Sequence, residues 1–505
     1  MTSSSTPLTP QQDWQRRSVA AVWHPCTQMA RAEVVPPLPI ARGAGPWLYD
    51  YEGRRYFDAN SSWWVNLFGH ADAGLNAAIK AQLDTLPHVM LAGCTHAPAV
   101  RLAERLSSRT GGALGHVFFG SDGASAVEIA LKQSFHSWRN RGRAEKREFV
   151  CLKNGYHGET IGALAVTDVK VFRDAYDPLL MRAHIVESPD ARLGNEAAAL
   201  AAMRELLSER GPHIAAVIIE PLVQGAAGMV MYDAAYLRGL RALCTEFEVH
   251  LIVDEIAMGC GRTGTFFAWE HVNPRSAGTP PAPRGGQAAL GSGPAGGLHD
   301  EAVWPDFITL SKGITGGTMP LSLVLTTEAV YQAFWSEDVS RGFLHSHSYT
   351  GNALACAAAN AVLDRFDAGQ LQANAEQAQL LKDAFAPLAS HPRVADLRQL
   401  GMVLAFDVIE PGLRFAKTSG LGETSGFAER FGETLGFAER FHLAARAHEL
   451  LIRPIGGTVY LMPPYLIDAE AAAFLARAVR LTLDEVLSQS SEGSAQPLSK
   501  EVHVA

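Results

Sequence analysis

Cysteine is scarce and scattered in this chain: six residues in 505, at positions 26, 94, 151, 244, 260 and 356. No two form a CxxC pair, and their spacing fits neither a zinc site nor a disulfide framework. No metal is expected, and a reducing compartment is. Basic blocks are missing too. Lysine and arginine are spread along the chain and the net charge is −9, so nucleic acid is not an expected partner. No apolar run approaches the roughly 20 residues a membrane-spanning helix needs. The N-terminus, MTSSSTPLTPQQDW, has neither a basic start nor an apolar core, so it does not read as a secretory signal. The expectation left by these absences is a cytoplasmic protein without a membrane partner. An apolar content of 47% against 19% charged residues supplies a large core.

What the chain does have is alternation. Apolar β-branched runs alternate with longer Ala/Leu-rich stretches at helical spacing. HIAAVIIEP (213–221) and VHLIVDEI (249–256) read as buried strands, with DAAYLRGLRALCTEFE (233–248) as the helix between them. Such alternation predicts a parallel sheet covered on both faces. Residues 273–301 are dominated by Gly, Pro and Ala, which cannot build a core and read as a flexible surface insertion. GETSGFAERF (422–431) is followed at once by GETLGFAERF (432–441). Two copies do not make a solenoid; they read as a duplication in a surface loop or at the start of a helix. Residues 1–13 and about 488–505 are Ser/Thr/Gln/Pro-rich and are predicted to fray.

Four stretches carry chemistry. In LIVDEIAMGCGRTG (251–264) an apolar strand ends in Asp254 and Glu255. The carboxyl ends of strands in an open α/β sheet are where ligands bind. Such an acid can hold a metal, act as a base, or pair with a cationic ring nitrogen. In FFGSDGASAVEIALKQSFHSW (118–138) a Gly/Ser/Asp turn leads into helical spacing at Val127, Ala130, Leu131 and Phe135. A helix N-terminus there can cup a phosphate, or the turn can simply cap the helix. KNGYHGETIGA (153–163) sets Tyr156 and His157 between glycines, where an aromatic ring can stack on a flat group or pack in a turn. In TLSKGITGGT (309–318), Lys312 follows an apolar run and has small neighbours, Ser311 and Gly313. A desolvated lysine can attack a carbonyl as the free amine. A phosphate cup, a loop aromatic, a strand-end acid and a post-strand lysine, in that order, are the parts pyridoxal phosphate needs.

At these residues the chain resembles the class III, fold-type I pyridoxal-phosphate aminotransferases. DEIAMGCGRTG, LSKGITGG, YHGET and EPLVQGAAGM (220–229) carry the general likeness. VWHPCTQM (22–29), NSSWWVNLFGH (60–70), HVMLAGCTHAPAV (88–100), SYTGNALACAAAN (348–360) and RPIGGTVYLMPPY (453–465) resemble the branch serving biotin biosynthesis. That branch aminates 8-amino-7-oxononanoate with adenosylmethionine in most members and lysine in some. The resemblance implies an α/β fold. Its large domain, 66–364, has a mostly parallel sheet and carries the insertion. A smaller α+β domain is made from 1–65 and 365–505, with an insertion at about 411–441.

The resemblance also implies roles. Lys312 is the Schiff-base lysine and Asp254 the partner of the ring nitrogen. Tyr156 stacks on the ring, and Gly123 and Ala124 offer N–H groups to the phosphate. Ser348 reaches that phosphate from the other subunit of a homodimer with shared active sites. Trp63, Trp64, Tyr460 and Cys26 line the substrate pocket, and Arg453 holds a substrate carboxylate. Arg262 is expected to be structural. Three positions depart from the family pattern. Cys26 stands where many relatives have Tyr, and Glu159 where some have Asp. Ala124 replaces a hydroxyl residue, for which Ser121 or Ser125 can compensate.

Overall fold

The computed structural model describes residues 7–273, 302–409 and 435–492. Most of the segments 273–301 and 411–441, and all of 493–505, lie outside the described residues.

The alternation becomes a seven-stranded sheet. Its spatial order is His116–Gly120, Ser322–Thr326, Phe307–Leu310, His250–Asp254, Ile214–Ile219, Glu148–Leu152 and His184–Val186. The last five in that order pair in parallel; Ser322–Thr326 runs antiparallel to both of its neighbours. Ile214–Ile219 is buried at every position, as a strand covered on both faces must be. The helix expected between the two strands read from sequence is Ala234–Glu246. On one face lies Gly123–Asn140, whose Val127, Ile129, Ala130 and Leu131 are fully or almost fully buried.

Two smaller sheets adjoin this layer. Ile40–Ala44, Trp47–Asp50 and Arg55–Asp58 form a meander, and Leu450–Leu451 adds in parallel to its last strand. The N-terminal segment and residues near 450 thus share one sheet. A three-stranded sheet joins Val394–Leu400, Val403–Val408 and Thr458–Leu461, all antiparallel.

The ends depart from expectation. Residues 9–13, predicted to fray, begin the helix Pro10–Ala21. Thr9 Oγ accepts from Gln12 N at 3.3 Å, and Gln12 Oε1 accepts from Thr9 N at 3.0 Å. This reciprocal cap satisfies N–H groups that a frayed end would leave to water. At the other end, Ala469–Glu492 continues past 488. The second repeat copy supplies a helix start: Phe437–Ala445 buries Phe437 and Phe441, while Glu439 takes a two-pronged bond from Arg31 at 3.0 and 2.7 Å.

Arg262 ties these layers together and is structural, as expected. It is buried. Its guanidinium donates to the carbonyls of Pro463 (2.6 Å), Met462 (3.3 Å), Asn66 (3.2 Å) and Trp64 (3.4 Å). Arg262→Met leaves those carbonyls without their cationic donor, so unfolding in urea should show a loss of at least about 3 kcal/mol.

Candidate active site

The candidate residues gather at the carboxyl edge of the sheet, where the helical and loop connections begin. Asp254 ends its strand and is 4% exposed. Its Oδ2 lies 2.7 Å from His157 Nδ1, and its Oδ1 accepts from Ile256 N at 3.1 Å and from Thr309 Oγ1 at 3.3 Å. Adjacent Glu255 has a different task. It accepts from Ala268 N and Trp269 N at 2.8 and 2.7 Å, and burial pushes its carboxyl up to about 8.

Lys312 follows the neighbouring strand. It is partly buried, and its Nζ sits 4.3 Å from the centre of the Trp64 ring. Burial pushes its amine down to about 8, opposed by the nearby carboxylates of Asp254 and Glu220. Its backbone is left-handed, with φ +48°, a conformation few residues other than glycine adopt.

The phosphate-cup turn caps its helix. Asp122 accepts from Ser125 N at 2.9 Å, and Ser125 Oγ donates to Asp122 at 2.9 Å. Ser121 Oγ lies 3.0 Å from His347 Nδ1. The hydroxyls expected to compensate for Ala124 are therefore already engaged. Gly123 and Ala124 stand at the first helical positions, close against the other site loops. A Cβ on Gly158 would meet the Ala124 Cβ at 2.6 Å, and one on Gly123 would meet Ile256 at 3.0 Å. Gly158 also has φ +121°, so glycine is required there on both counts.

The groups beside Lys312 come from stretches almost 400 residues apart in sequence. Ser61, Ser62, Trp63 and Trp64 form one helical turn with φ of +49°, +48°, +72° and +73°. A left-handed turn of L-residues costs roughly 1–2 kcal/mol per residue, and neighbouring groups hold it. Asp58 accepts from Ser62 N and Oγ at 2.9 and 2.7 Å, while Ser61 Oγ donates to Met462 O at 2.6 Å. Asn60 donates to Tyr460 O at 3.0 Å and accepts from Arg453 N at 2.7 Å. Trp64 is buried and donates to Tyr460 Oη at 3.0 Å; burial pushes the Tyr460 phenol up to about 12. Trp63 is 52% exposed. Arg453 is exposed, and its guanidinium makes no ion pair among the described residues.

Tyr156 donates to Glu159 at 2.9 Å, and the Cys26 thiol lies 4.0 Å from the same oxygen. Burial raises the thiol pKa, with Glu159 adding to it, which keeps Cys26 protonated. Ser348 is exposed and the structure does not bring it into the site of its own chain. Two residues to which the sequence reading gave no role also stand here. His157 orients Asp254, and its buried Nε2 has no partner among the described residues. Glu220, at the end of the next strand, accepts from Tyr156 N (3.0 Å) and Gly225 N (2.9 Å), and burial pushes it up to about 7. The strand-end signal that marked Asp254 is present in VIIEP as well.

A labelling experiment tests the state of Lys312. With a pKa near 8, about one-tenth of the amine is neutral at pH 7, against well under a thousandth for an exposed lysine. Acylation of Lys312, followed by peptide mass spectrometry, should rise about tenfold per pH unit and level off above pH 8. Surface lysines should keep rising past pH 9. A Lys312 profile that tracks theirs would contradict a desolvated amine.

Comparison with known proteins matches this geometry to one group. A family model described as Aminotransferase class-III covers residues 28–281 and 289–483. The chain is 39% identical over 475 residues to the adenosylmethionine-8-amino-7-oxononanoate aminotransferase of Helicobacter pylori, covering 92% of this chain and 96% of that one. The crystal structure of the enzyme of that name from Methanocaldococcus jannaschii superposes with a TM-score of 0.79 at 30% identity, covering 94% and 98% of the two chains. An amine transaminase from an uncultivated Pseudomonas species, solved in a PLP-bound form, superposes at 0.77 with 29% identity over 92% and 99%.

Proposed function

The chain belongs to the class-III aminotransferases, and from that premise we propose that it moves an amino group from S-adenosyl-L-methionine to 8-amino-7-oxononanoate. The product is 7,8-diaminononanoate, for biotin biosynthesis, and the cofactor is pyridoxal 5′-phosphate. One observation carries the reading: the desolvated Lys312 amine lies against Trp64, Trp64 donates to Tyr460, and Asn60 ties Tyr460 O to the backbone N–H of Arg453, whose guanidinium makes no ion pair among the described residues. That suits a substrate with a reacting carbon at one end and a carboxylate at the other.

The residues fit the cofactor. An 18-residue helix begins at Gly123 and Ala124, and N–H groups at such a start are suited to phosphate. The loop glycines there leave no room for a Cβ. Lys312 is available as the amine, and the His157–Asp254 pair lies at the adjoining strand end. When bound, pyridoxal phosphate supplies an aldehyde for covalent capture of amines and a ring that withdraws electrons.

The chain's own groups do the rest. Asp254 Oδ2, oriented by His157, holds a proton on the ring nitrogen. Lys312 Nζ takes the proton leaving the substrate Cα and returns one in the reverse half. Tyr156 covers the ring, its backbone fixed by Glu220 Oε1. Trp63, Trp64, Tyr460 and Cys26 shape the pocket, and Arg453 pairs with the carboxylate of the acceptor. A thiol at Cys26 is smaller than a phenol and gives that wall more room.

Kinetics are ping-pong, the deaminated donor leaving before the acceptor binds. The active species is a homodimer in which Ser348 serves the partner's phosphate. Exposed Met90, Leu344 and Tyr349 (61%, 79% and 66%) support an apolar contact face on the same side as that serine. Residues 66–364 form the large domain and the flanking segments the small one. The six cysteines carry no disulfide, which suits the cytoplasm.

Purified protein supplied with pyridoxal phosphate and 8-amino-7-oxononanoate should form the diamine with adenosylmethionine as donor. Product with lysine alone would reassign the donor, and activity confined to simple oxo acids would sink the acceptor. Lys312→Ala should abolish turnover and the visible absorbance of the cofactor-bound protein. Gly158→Ala should weaken cofactor affinity about tenfold, since overpacking here costs about 1–3 kcal/mol; equilibrium titration with pyridoxal phosphate measures it.

A further inference from the structure

Away from the reacting groups, two arginines and three aspartates meet where the three-stranded sheet touches the loops of the large sheet. Arg398 is the hub, with 8% of its side chain exposed. Its Nε donates to Met229 O at 2.9 Å, and one terminal nitrogen donates to Asp396 O and Oδ2 at 2.9 and 2.8 Å. The other donates to Gly228 O at 2.6 Å and Asp407 Oδ1 at 3.2 Å. These bonds use all of the N–H donors a guanidinium has. Asp407 also accepts from Thr458 Oγ1 at 2.7 Å and from Arg192 at 3.1 Å, and Arg192 grips Asp190 at 2.7 Å.

The register shows why Arg398 points there. Its strand is irregular between Ala395 and Arg398, and Asp396 has φ +50°. A bulge of this kind re-aims the side chain that follows it. Arg398 stands opposite Ala405 and reaches diagonally to Asp407, two residues along the same strand face, and Asp407 sits opposite Thr458.

Both partners of this contact lead to the site. Gly228 and Met229 belong to the loop that Glu220 fastens to Tyr156 and whose Gly225 packs on Trp64, where a Cβ would meet the ring at 2.9 Å. Thr458 begins the strand that carries Tyr460, directly after the turn that follows Arg453. Gly228 faces Thr458 itself, a Cβ there meeting its Oγ1 at 2.9 Å.

We propose that Arg398, with Asp407 and Thr458, is a positioning group: it holds the Arg453–Tyr460 segment at a fixed reach from Lys312 and so sets how strictly the pocket reads a substrate's terminal carboxylate. This rests on the reading of Arg453 as the carboxylate anchor. Lysine cannot replace the hub, because three donors cannot span three backbone carbonyls and two aspartates.

The test compares wild type, Arg398→Lys and Thr458→Val as cofactor-loaded dimers, on 8-amino-7-oxononanoate and on its methyl ester. In Arg398→Lys, KM for the acid should rise about tenfold, with kcat and the visible spectrum nearly unchanged and the ester affected less than about twofold. Thr458→Val, which removes one bond and keeps the shape, should move the same way by less. It carries the test if Arg398→Lys does not fold. Hydrogen exchange in both variants should quicken at 225–231 and 454–458 together. Acid and ester falling in parallel would mean a merely structural role and overturn the proposal, as would unchanged exchange. If wild type itself treats acid and ester alike while exchange still quickens in both segments, the anchor role of Arg453 fails and the positioning contact stands.

Discussion

Lys312 sits where two tendencies oppose each other. Burial against Trp64 drives its amine toward the neutral form, while the carboxylates of Asp254 and Glu220 pull it back toward the ammonium. Much of the site follows from keeping that balance. An amine fully removed from water with no acid nearby would lose its capacity to carry a proton, and one tightly paired with an acid would lose its nucleophilicity. Asp254 is fixed in place by His157, Thr309 and the backbone of Ile256, and makes no ion pair with Lys312 among the described residues. Glu220 is similarly occupied by two backbone N–H groups.

The same economy of contacts explains how the pocket is assembled. The segment bearing Trp64 adopts a left-handed turn that it would not hold alone, and the strand bearing Tyr460 supplies partners for it. Asn60, Ser61 and Trp64 each bond to residues 453–462. Arg262 then binds carbonyls from both segments. Residues from the two ends of the chain are thus fixed directly to each other as well as to the central layer.

Much of this was legible in the sequence, unevenly. The strands containing VIIEP and LIVDEI, and the helix between them, stood out because buried parallel strands are continuous apolar runs. Lys312 and Asp254 were legible because residues at strand ends have few packing reasons to be charged. His157 was not, since its role depends on a partner 97 positions away. Nor was the positive φ at Ser61–Trp64, which no local propensity favours and which only contacts across the fold impose. The capping box at Thr9 was written plainly in TPQQ, but the surrounding Ser, Thr and Gln content masked it. The end of the second repeat copy reads as surface polar sequence until Phe437 and Phe441 are seen to share one buried helix face.

The backbone at Lys312 has a consequence for how such a sequence drifts. A φ of +48° is one that glycine accepts freely and lysine accepts at a cost of order 1–3 kcal/mol. Replacing the ammonium would also remove a charge from a half-dry cavity. A chain with glycine at this position would therefore gain backbone stability as it lost the amine. A lysine at a torsion angle that glycine holds more cheaply is a residue placed for its amine and not for the fold.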